Sequence, residues 1–95
     1  MIIKVSPSRD YFSVLARTFG NVTAKKREVT ELHIHPVDLY LLRTNPAFTQ
    51  QFDTETQRKL VMSGIAGYLW GVVVKFTWDL PEGSFRLRTR ALGSK

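Results

Sequence analysis

The sequence predicts a single α+β domain in which two or three short helices pack on one face of a twisted, antiparallel-rich sheet. Ninety-five residues leave room for only one hydrophobic core. A composition of 43% hydrophobic and 12% aromatic residues is typical of a packed globular protein. Apolar residues recur at helical spacing in some segments and alternate with polar residues in others, which predicts both kinds of element.

The first third of the chain predicts a short strand, a helix and an exposed loop. Residues 1–5 form the strand, and Ser6 is the expected N-cap of a helix over residues 7–19. Gly20 is a stop signal for that helix. The polar segment 22–28 is the predicted loop, and three cations form its tip: Lys25, Lys26 and Arg27. A solvated turn is favoured there over a phosphate contact.

The middle of the chain predicts a strand followed by two helices. Residues 29–35 alternate apolar with polar side chains, as in a half-buried strand. Pro36 begins a helix, which ends before Asn45-Pro46 because the residue before a proline avoids helical geometry. A second short helix is expected from Asp53 or Thr54 to Gly64.

The last third predicts a long β-hairpin. Residues 68–78 alternate over eleven positions and predict one strand, and residues 84–90 alternate again and predict its return. Residues 79–83 supply turn chemistry, including a proline and a glycine. Gly71 is expected to let another backbone approach the hairpin, and residues 91–95 are expected to be a frayed tail.

Composition excludes several classes of protein. The chain has no cysteine, so disulfides and thiolate metal sites are ruled out. The longest apolar stretch is interrupted by glycines and is shorter than the roughly 20 residues of a membrane-spanning helix. The first four residues are too short for an apolar targeting segment. We therefore expect a protein of the virion or the host cytoplasm, neither secreted nor membrane-bound.

The net charge of +6 is unevenly distributed. Residues 1–30 carry six bases and two acids, residues 31–57 one base and four acids, and residues 58–95 seven bases and two acids. An acidic middle between two basic flanks is consistent with a polyanionic partner. It is equally consistent with subunits that attract one another, basic flank to acidic middle.

Two histidines are the weak candidate for a metal site. His33 and His35 share one face of the predicted strand, which is metal-ligand spacing, and Asp38 follows within reach. Structural and catalytic zinc sites need more protein ligands than this pattern supplies. The alternative is a pair of partly exposed strand residues bonded to backbone carbonyls. We predict no metal and no other cofactor.

The sequence offers no recognisable catalytic constellation. No serine stands in a nucleophile elbow, and the eight acids are mostly isolated rather than paired. The glycines at positions 64, 67 and 71 lead into a predicted strand rather than open a helix, so they do not form a phosphate-binding loop. We therefore predict that the protein is not an enzyme and has no small-molecule substrate.

An arginine ladder is the candidate nucleic-acid site. Arg86, Arg88 and Arg90 alternate along the return strand, about 6.8 Å apart on one face. Such spacing is close to that of phosphates in an extended nucleic-acid strand, and Lys75 on the partner strand adds a fourth cation. The alternative is a solvated or subunit-contacting face, because the aromatic residues that mark single-strand binders lie on the apolar face.

Three segments together resemble the central part of tailed-phage major capsid proteins and of encapsulins. They are a strand-to-helix step with a His-Pro pair at 32–39, a glycine-punctuated run at 64–74, and the sequence Asp-Leu-Pro-Glu-Gly at 79–83. The resemblance covers about residues 29–87. The chain lacks the N-terminal arm, extended loop and long spine helix of that family, so it resembles one domain of such proteins.

The resemblance implies a domain that packs against copies of itself, without cofactor or catalysis. The favoured function is a phage structural or assembly protein that contacts itself or another phage structural protein. The expected contact residues are the loop tip and the hairpin turn: Lys25, Lys26, Arg27, Asp79, Pro81, Glu82 and Gly83. A first alternative is a small basic DNA- or RNA-binding module that uses the ladder. A second alternative is a phage protein that inhibits a host factor.

Overall fold

The computed structural model describes residues 2–91 and confirms the α+β class. Within them a six-stranded sheet has the order β1-β6-β2-β5-β4-β3, with β2 and β5 parallel and the other neighbours antiparallel. The elements are β1 (Ile2–Lys4), α1 (Tyr11–Ala24), β2 (Arg27–Ile34), α2 (Pro36–Leu42), α3 (Pro46–Thr49), β3 (Phe52–Thr54), α4 (Arg58–Met62), β4 (Ile65–Leu69), β5 (Val72–Phe76) and β6 (Ser84–Ala91).

The first helix is displaced from its predicted position at both ends. Its N-cap is Asp10, whose carboxylate accepts hydrogen bonds from the backbone N–H and the hydroxyl of Ser13. The predicted cap, Ser6, instead hydrogen-bonds the Ser8 hydroxyl. Gly20 does not stop the helix, because burial of Val22 in the core offsets the roughly 1 kcal/mol that a helical glycine costs.

The core lies between the helices and one face of the sheet. Register places Leu32 of β2 beside Leu87 of β6 and Val74 of β5, so apolar side chains form rows across the strands. Helices α1, α2 and α3 contribute side chains to the same cluster. These are Phe12, Leu15, Val22, Leu39, Leu42 and Phe48. The other face of β2, β5 and β6 carries the charged side chains that alternate with these apolar ones along each strand.

The predicted long strand over 68–78 is wrong, because a tight turn divides it into β4 and β5. Trp70 and Gly71 have φ of 53° and 79°, as the two central residues of a type I′ turn require. Trp70 tolerates this conformation because its ring contacts Phe12 and Phe19 and its Nε1 donates to Gln51. A Cβ on Gly71 would meet nothing within 4 Å, so the predicted backbone approach there is also wrong.

The predicted pairing of the long strand with 84–90 is wrong as well. Strand β2 lies between β5 and β6, and β6 also pairs with β1. The connection from β5 to β6 crosses the end of β2 and is held there by Gly83. The Gly83 carbonyl accepts a hydrogen bond from the Val5 N–H at 2.7 Å, and the Gly83 N–H donates one to the Asp38 carboxylate at 2.7 Å.

The segment predicted as a helix from Asp53 to Gly64 contains a strand and a shorter helix. Residues 52–54 pair with β4 because Phe52 is buried and stacks on Phe48, 4.8 Å between ring centroids. Only 58–62 are helical, and Gly64 ends that helix with φ of 94°, as expected. Asn45-Pro46, interpreted above as a terminator only, also caps the short helix α3.

The predicted frayed tail begins too early. Ala91 belongs to β6 and lies opposite Arg27, whereas residues 92–95 lie outside the described residues. Within 2–91, no helix combines the length and the apolar character needed to cross a membrane.

Candidate interaction surface

The β2–β6 register gives each ladder arginine a partner on the neighbouring strand. Arg90 lies opposite Glu28, Arg88 opposite Glu31, and Arg86 opposite His33. Arg90 forms a short contact with Glu28, and Arg88 Nε lies 3.8 Å from Glu31. The ladder therefore exists, but it forms one row of a mixed-charge surface.

Glu31 is the centre of that surface. It accepts a hydrogen bond from His33 at 2.8 Å, and its other carboxylate oxygen lies 3.5 Å from Lys75 Nζ. The hydrogen bond from His33, reinforced by the charge of Lys75, lowers the pKa of Glu31 despite partial burial. Lys75, the fourth predicted phosphate ligand, is therefore already paired with an acid of its own chain.

The two histidines do not form a metal site in the described part of the chain. His33 has both ring nitrogens engaged, by Glu31 and by Arg86. His35 is the N-cap of α2, where its Nδ1 accepts from the Val37 N–H at 3.1 Å, and its ring contacts Trp78. Residues 2–91 contain no group of three potential metal ligands.

The predicted contact turn at 79–83 is firmly anchored. Asp79 accepts from the Thr77 hydroxyl at 2.6 Å and lies 3.6 Å from Arg86. The Pro81 carbonyl accepts from the Ser84 hydroxyl, and the Leu80 side chain is buried. Thr77 chiefly lowers the pKa of Asp79, with a contribution from Arg86. These bonds hold the turn in place, while Asp79, Pro81 and Glu82 remain exposed.

Asp38 links this turn to α2. It is buried, and burial raises the pKa of its carboxyl, opposed by the hydrogen bond from the Gly83 N–H. Nearby, the Tyr11 hydroxyl donates to the Ser84 carbonyl at 2.8 Å, and burial raises the pKa of Tyr11. Asp38, considered above as a metal ligand, therefore has a structural role.

Large apolar side chains remain exposed around α2 and α4, which we call the α2–α4 surface. Tyr40 is 70% exposed, Met62 76% and Trp78 73%. Tyr40 and Val61 line one groove of about 470 Å³, and Pro36 lies at one end of that groove. Trp78 contacts His35, the residue before Pro36. The surface consists of Val37, Tyr40, Val61, Met62 and Trp78, whereas the exposed Leu41 lines a different groove with Tyr11 and Phe12. Exposed apolar residues grouped in this way are typical of a contact site.

The groove carries one charge of each sign on its two walls. Arg43 lies at the C-terminal end of α2, over the Phe52 ring at 5.4 Å. Glu55 lies on the other wall, between β3 and α4. Its carboxylate accepts from the Tyr68 hydroxyl and from the Gln57 N–H, and the hydrogen bond from Tyr68 chiefly lowers the pKa of Glu55.

Sequence reasoning missed this surface, although α2 contains a signal for it. Leu39 and Leu42 are the buried apolar residues of that seven-residue helix, while Val37, Tyr40 and Leu41 are exposed. A helix with more apolar residues than one face can bury indicates a second contact. The contribution of α4 to the groove is not evident from the sequence, because the sequence predicts one longer helix that begins at Asp53 or Thr54.

Comparison of the chain with protein-family models, with curated proteins and with solved structures found no match. Arguments about function therefore depend on the surfaces themselves.

Proposed function

We propose that this chain is a non-enzymatic structural or assembly protein that associates with further copies of itself through the α2–α4 surface. The observation that carries the proposal is the exposure of large apolar side chains on α2 and α4, of which Tyr40 and Val61 line one groove. Burial of apolar area stabilises association by about 25 cal/mol per Å² before the costs of association are subtracted. Tyr40 on α2 and Met62 on α4 are the most exposed large apolar side chains of the two helices, so both are available to a partner.

The groove favours a second copy because its charges are self-complementary. In a two-fold symmetric contact, a residue on one wall of the groove meets the residue on the opposite wall of the other subunit. Arg43 of one copy then lies near Glu55 of the other, and the reverse pair forms at the same time. An isologous contact thus pairs both charges without requiring a different protein.

The net charge of the chain sets the expected salt dependence. Two copies with a charge of +6 each repel one another at long range. Salt screens that repulsion and hardly affects burial of the apolar groove. It also screens the two Arg43–Glu55 pairs, but pairs at an exposed groove contribute little. Self-association therefore strengthens, or stays constant, as salt rises.

The resemblance to phage capsid proteins supports the same class of function. A capsid-like domain acts by packing against its own copies or against another structural protein, and needs no cofactor. Under this proposal the protein works in the virion or in the host cytoplasm. Inhibition of a host factor through the same surface is the competing hypothesis, and it predicts a monomer in isolation.

The oligomeric state of matched variants tests the proposal. Light scattering after size exclusion, over a series of concentrations at low and high salt, is expected to show a dimer. Tyr40→Gln combined with Met62→Gln should dissociate it. Ile2→Gln is the matched control, because Ile2 is 57% exposed but lies on β1, away from the groove. A wild-type monomer at every concentration, or equal dissociation by Ile2→Gln, would refute the proposal.

A charge reversal tests the two-fold arrangement separately. Arg43→Glu alone should weaken the dimer, because it places two acids near one another across the contact. Arg43→Glu combined with Glu55→Arg should restore it, since the pair is then reversed rather than lost. Circular dichroism of each variant checks that the fold is retained.

A further inference from the structure

Three consecutive cations lie at the junction of α1 and β2, the last of them as the first residue of β2, and we call them the basic corner. They are Lys25, Lys26 and Arg27, and all three are exposed. None of them has a carboxylate within ion-pair distance among residues 2–91. This separates the corner from the ladder, where Arg86, Arg88 and Arg90 each lie beside an acid or a histidine.

Lys26 occupies a backbone conformation that favours glycine. Its φ is 58°, in the left-handed region, immediately after the C-cap of α1. A side chain with a Cβ is disfavoured there relative to glycine. The negative end of the helix dipole favours a lysine in or near the last turn of α1. It does not explain why a lysine occupies position 26, where φ is positive. Residues in this conformation cluster at functional sites, and no packing contact of the kind that holds Trp70 is seen for Lys26 among the described residues.

Arg27 is held in place for binding by a neighbouring strand. Its Nε and Nη2 both donate to the Thr89 hydroxyl, at 3.2 and 3.0 Å. With the side chain fixed, its remaining N–H groups are oriented before any ligand arrives, so less conformational entropy is lost on binding.

A groove of about 350 Å³ lies beside the corner and contains no acidic residue. Lys25 and Arg27 supply its charges, and its other polar residues are neutral. The full lining is Ile3, Thr18, Asn21, Val22, Lys25, Arg27 and Thr89. Two cations above neutral hydrogen-bonding groups suit an oxyanion, and a guanidinium matches the geometry of phosphate oxygens.

A second copy of the chain is a poor partner for this corner, because most of its acids are already engaged. Five of them cap a helix, pair with a cation or accept hydrogen bonds within their own chain. These are Asp10, Glu28, Glu31, Asp38 and Asp79, and a sixth, Glu55, belongs to the proposed α2–α4 contact. A polyanion with regularly spaced charge fits better.

We propose that the basic corner binds the phosphodiester backbone of nucleic acid. The site is distinct from the ladder that the sequence indicated and from the α2–α4 surface. Three phosphate contacts predict that affinity for duplex DNA falls about 40-fold between 50 and 200 mM salt. Binding is therefore expected to weaken with salt, opposite to the self-association proposed above.

Fluorescence anisotropy of a short labelled DNA duplex, titrated with the full chain, tests the site. The triple variant Lys25→Gln, Lys26→Gln, Arg27→Gln should lose binding at the lower salt concentration. The matched control is Arg58→Gln with Lys59→Gln, which removes two exposed cations from α4 and should bind DNA nearly as well as the wild type. A second comparison is Arg88→Gln with Arg90→Gln, which should keep most of the affinity.

Lys26→Gly separates binding from folding. It removes one charge and relieves the positive φ, so it should raise Tm and yet weaken DNA binding and flatten its salt dependence. Unchanged binding by the triple variant, or equal losses in the α4 control, would overturn the proposal. Binding of poly-glutamate instead of DNA, lost in the triple variant, would also overturn the proposal, because the natural ligand of the corner would then be an acidic protein.

Discussion

Arg86 donates a hydrogen bond from Nε to Nδ1 of His33, 3.0 Å away. Since that nitrogen accepts, the neutral imidazole carries its proton on Nε2, from which it donates to Glu31 at 2.8 Å. The ring lies between an obligate donor and a carboxylate and is buried. The β2–β6 register creates this arrangement by placing His33 directly opposite Arg86.

The first prediction concerns the His33 tautomer. At neutral pH, nitrogen NMR of the imidazole should show Nε2–H and an unprotonated Nδ1. His35 is a useful internal comparison, because its Nδ1 also accepts a hydrogen bond, from a backbone N–H. In Arg86→Met the preference of His33 for this tautomer should weaken, whereas that of His35 should persist. A Nδ1–H form of His33 in the wild type would contradict the network.

The second prediction concerns acid unfolding. The hydrogen bond from His33 lowers the pKa of Glu31, so the ionised carboxylate stabilises the folded state. That contribution is complete above the unfolded-state pKa and is lost as pH falls through the lower folded-state value. Glu31→Gln should therefore flatten the pH dependence of unfolding free energy across this acidic range, measured by urea titration. An unchanged slope would contradict the role of Glu31.

The third prediction concerns Asp38. Removing the acceptor in Asp38→Ala leaves the Gly83 N–H unpaired and should cost about 1–3 kcal/mol of unfolding free energy. Asp38→Asn keeps an oxygen acceptor and removes a buried charge, so it should be much closer to the wild type. Because burial raises the pKa of Asp38, wild-type stability falls as pH rises from the unfolded-state to the folded-state pKa. Asp38→Asn should lack that decline.

The fourth prediction compares two glycines. A Cβ on Gly67 would overlap the Asp53 carbonyl oxygen and lie 2.6 Å from Phe52 Cζ, so Gly67→Ala should destabilise the β3–β4 pair by about 1–3 kcal/mol. Gly20→Ala is the control, because its Cβ meets nothing within 4 Å and the residue is helical. It should stabilise the protein by about 0.5–1 kcal/mol. Thermal unfolding of both variants gives the comparison, and equal effects would contradict it.

Local signals predicted several elements correctly because the interactions that form them are local. The strand that contains Leu32, the proline-led start of α2 and the glycine end of α4 follow from alternation, φ restriction and positive φ, respectively. The extended helix α1 was mispredicted because its last turn depends on Val22 reaching a distant core.

Alternation concealed the β4–β5 turn for a geometric reason. A two-residue turn places Leu69 opposite Val72 and Tyr68 opposite Val73. Leu69 and Val72 therefore share a face although they are three positions apart, so the turn shifts the alternation by one residue. Every residue from 68 to 74 is apolar, aromatic or glycine, so the sequence fits either phase and the shift is hidden. Only the packing of Trp70 against Phe12 and Phe19 reveals the turn.

The amino-acid sequence by itself determined the α+β class, the basic charge and the alternation that puts three arginines on one strand face. Tertiary structure alone decided what those charges meet, because an ion pair depends on which strand lies alongside. Placement of β2 between β5 and β6 brought Glu28, Glu31 and His33 to the ladder and left the basic corner without a carboxylate partner among residues 2–91. Exposure of Tyr40 and Met62 was likewise decided by packing, since burial depends on contacts between segments distant in sequence.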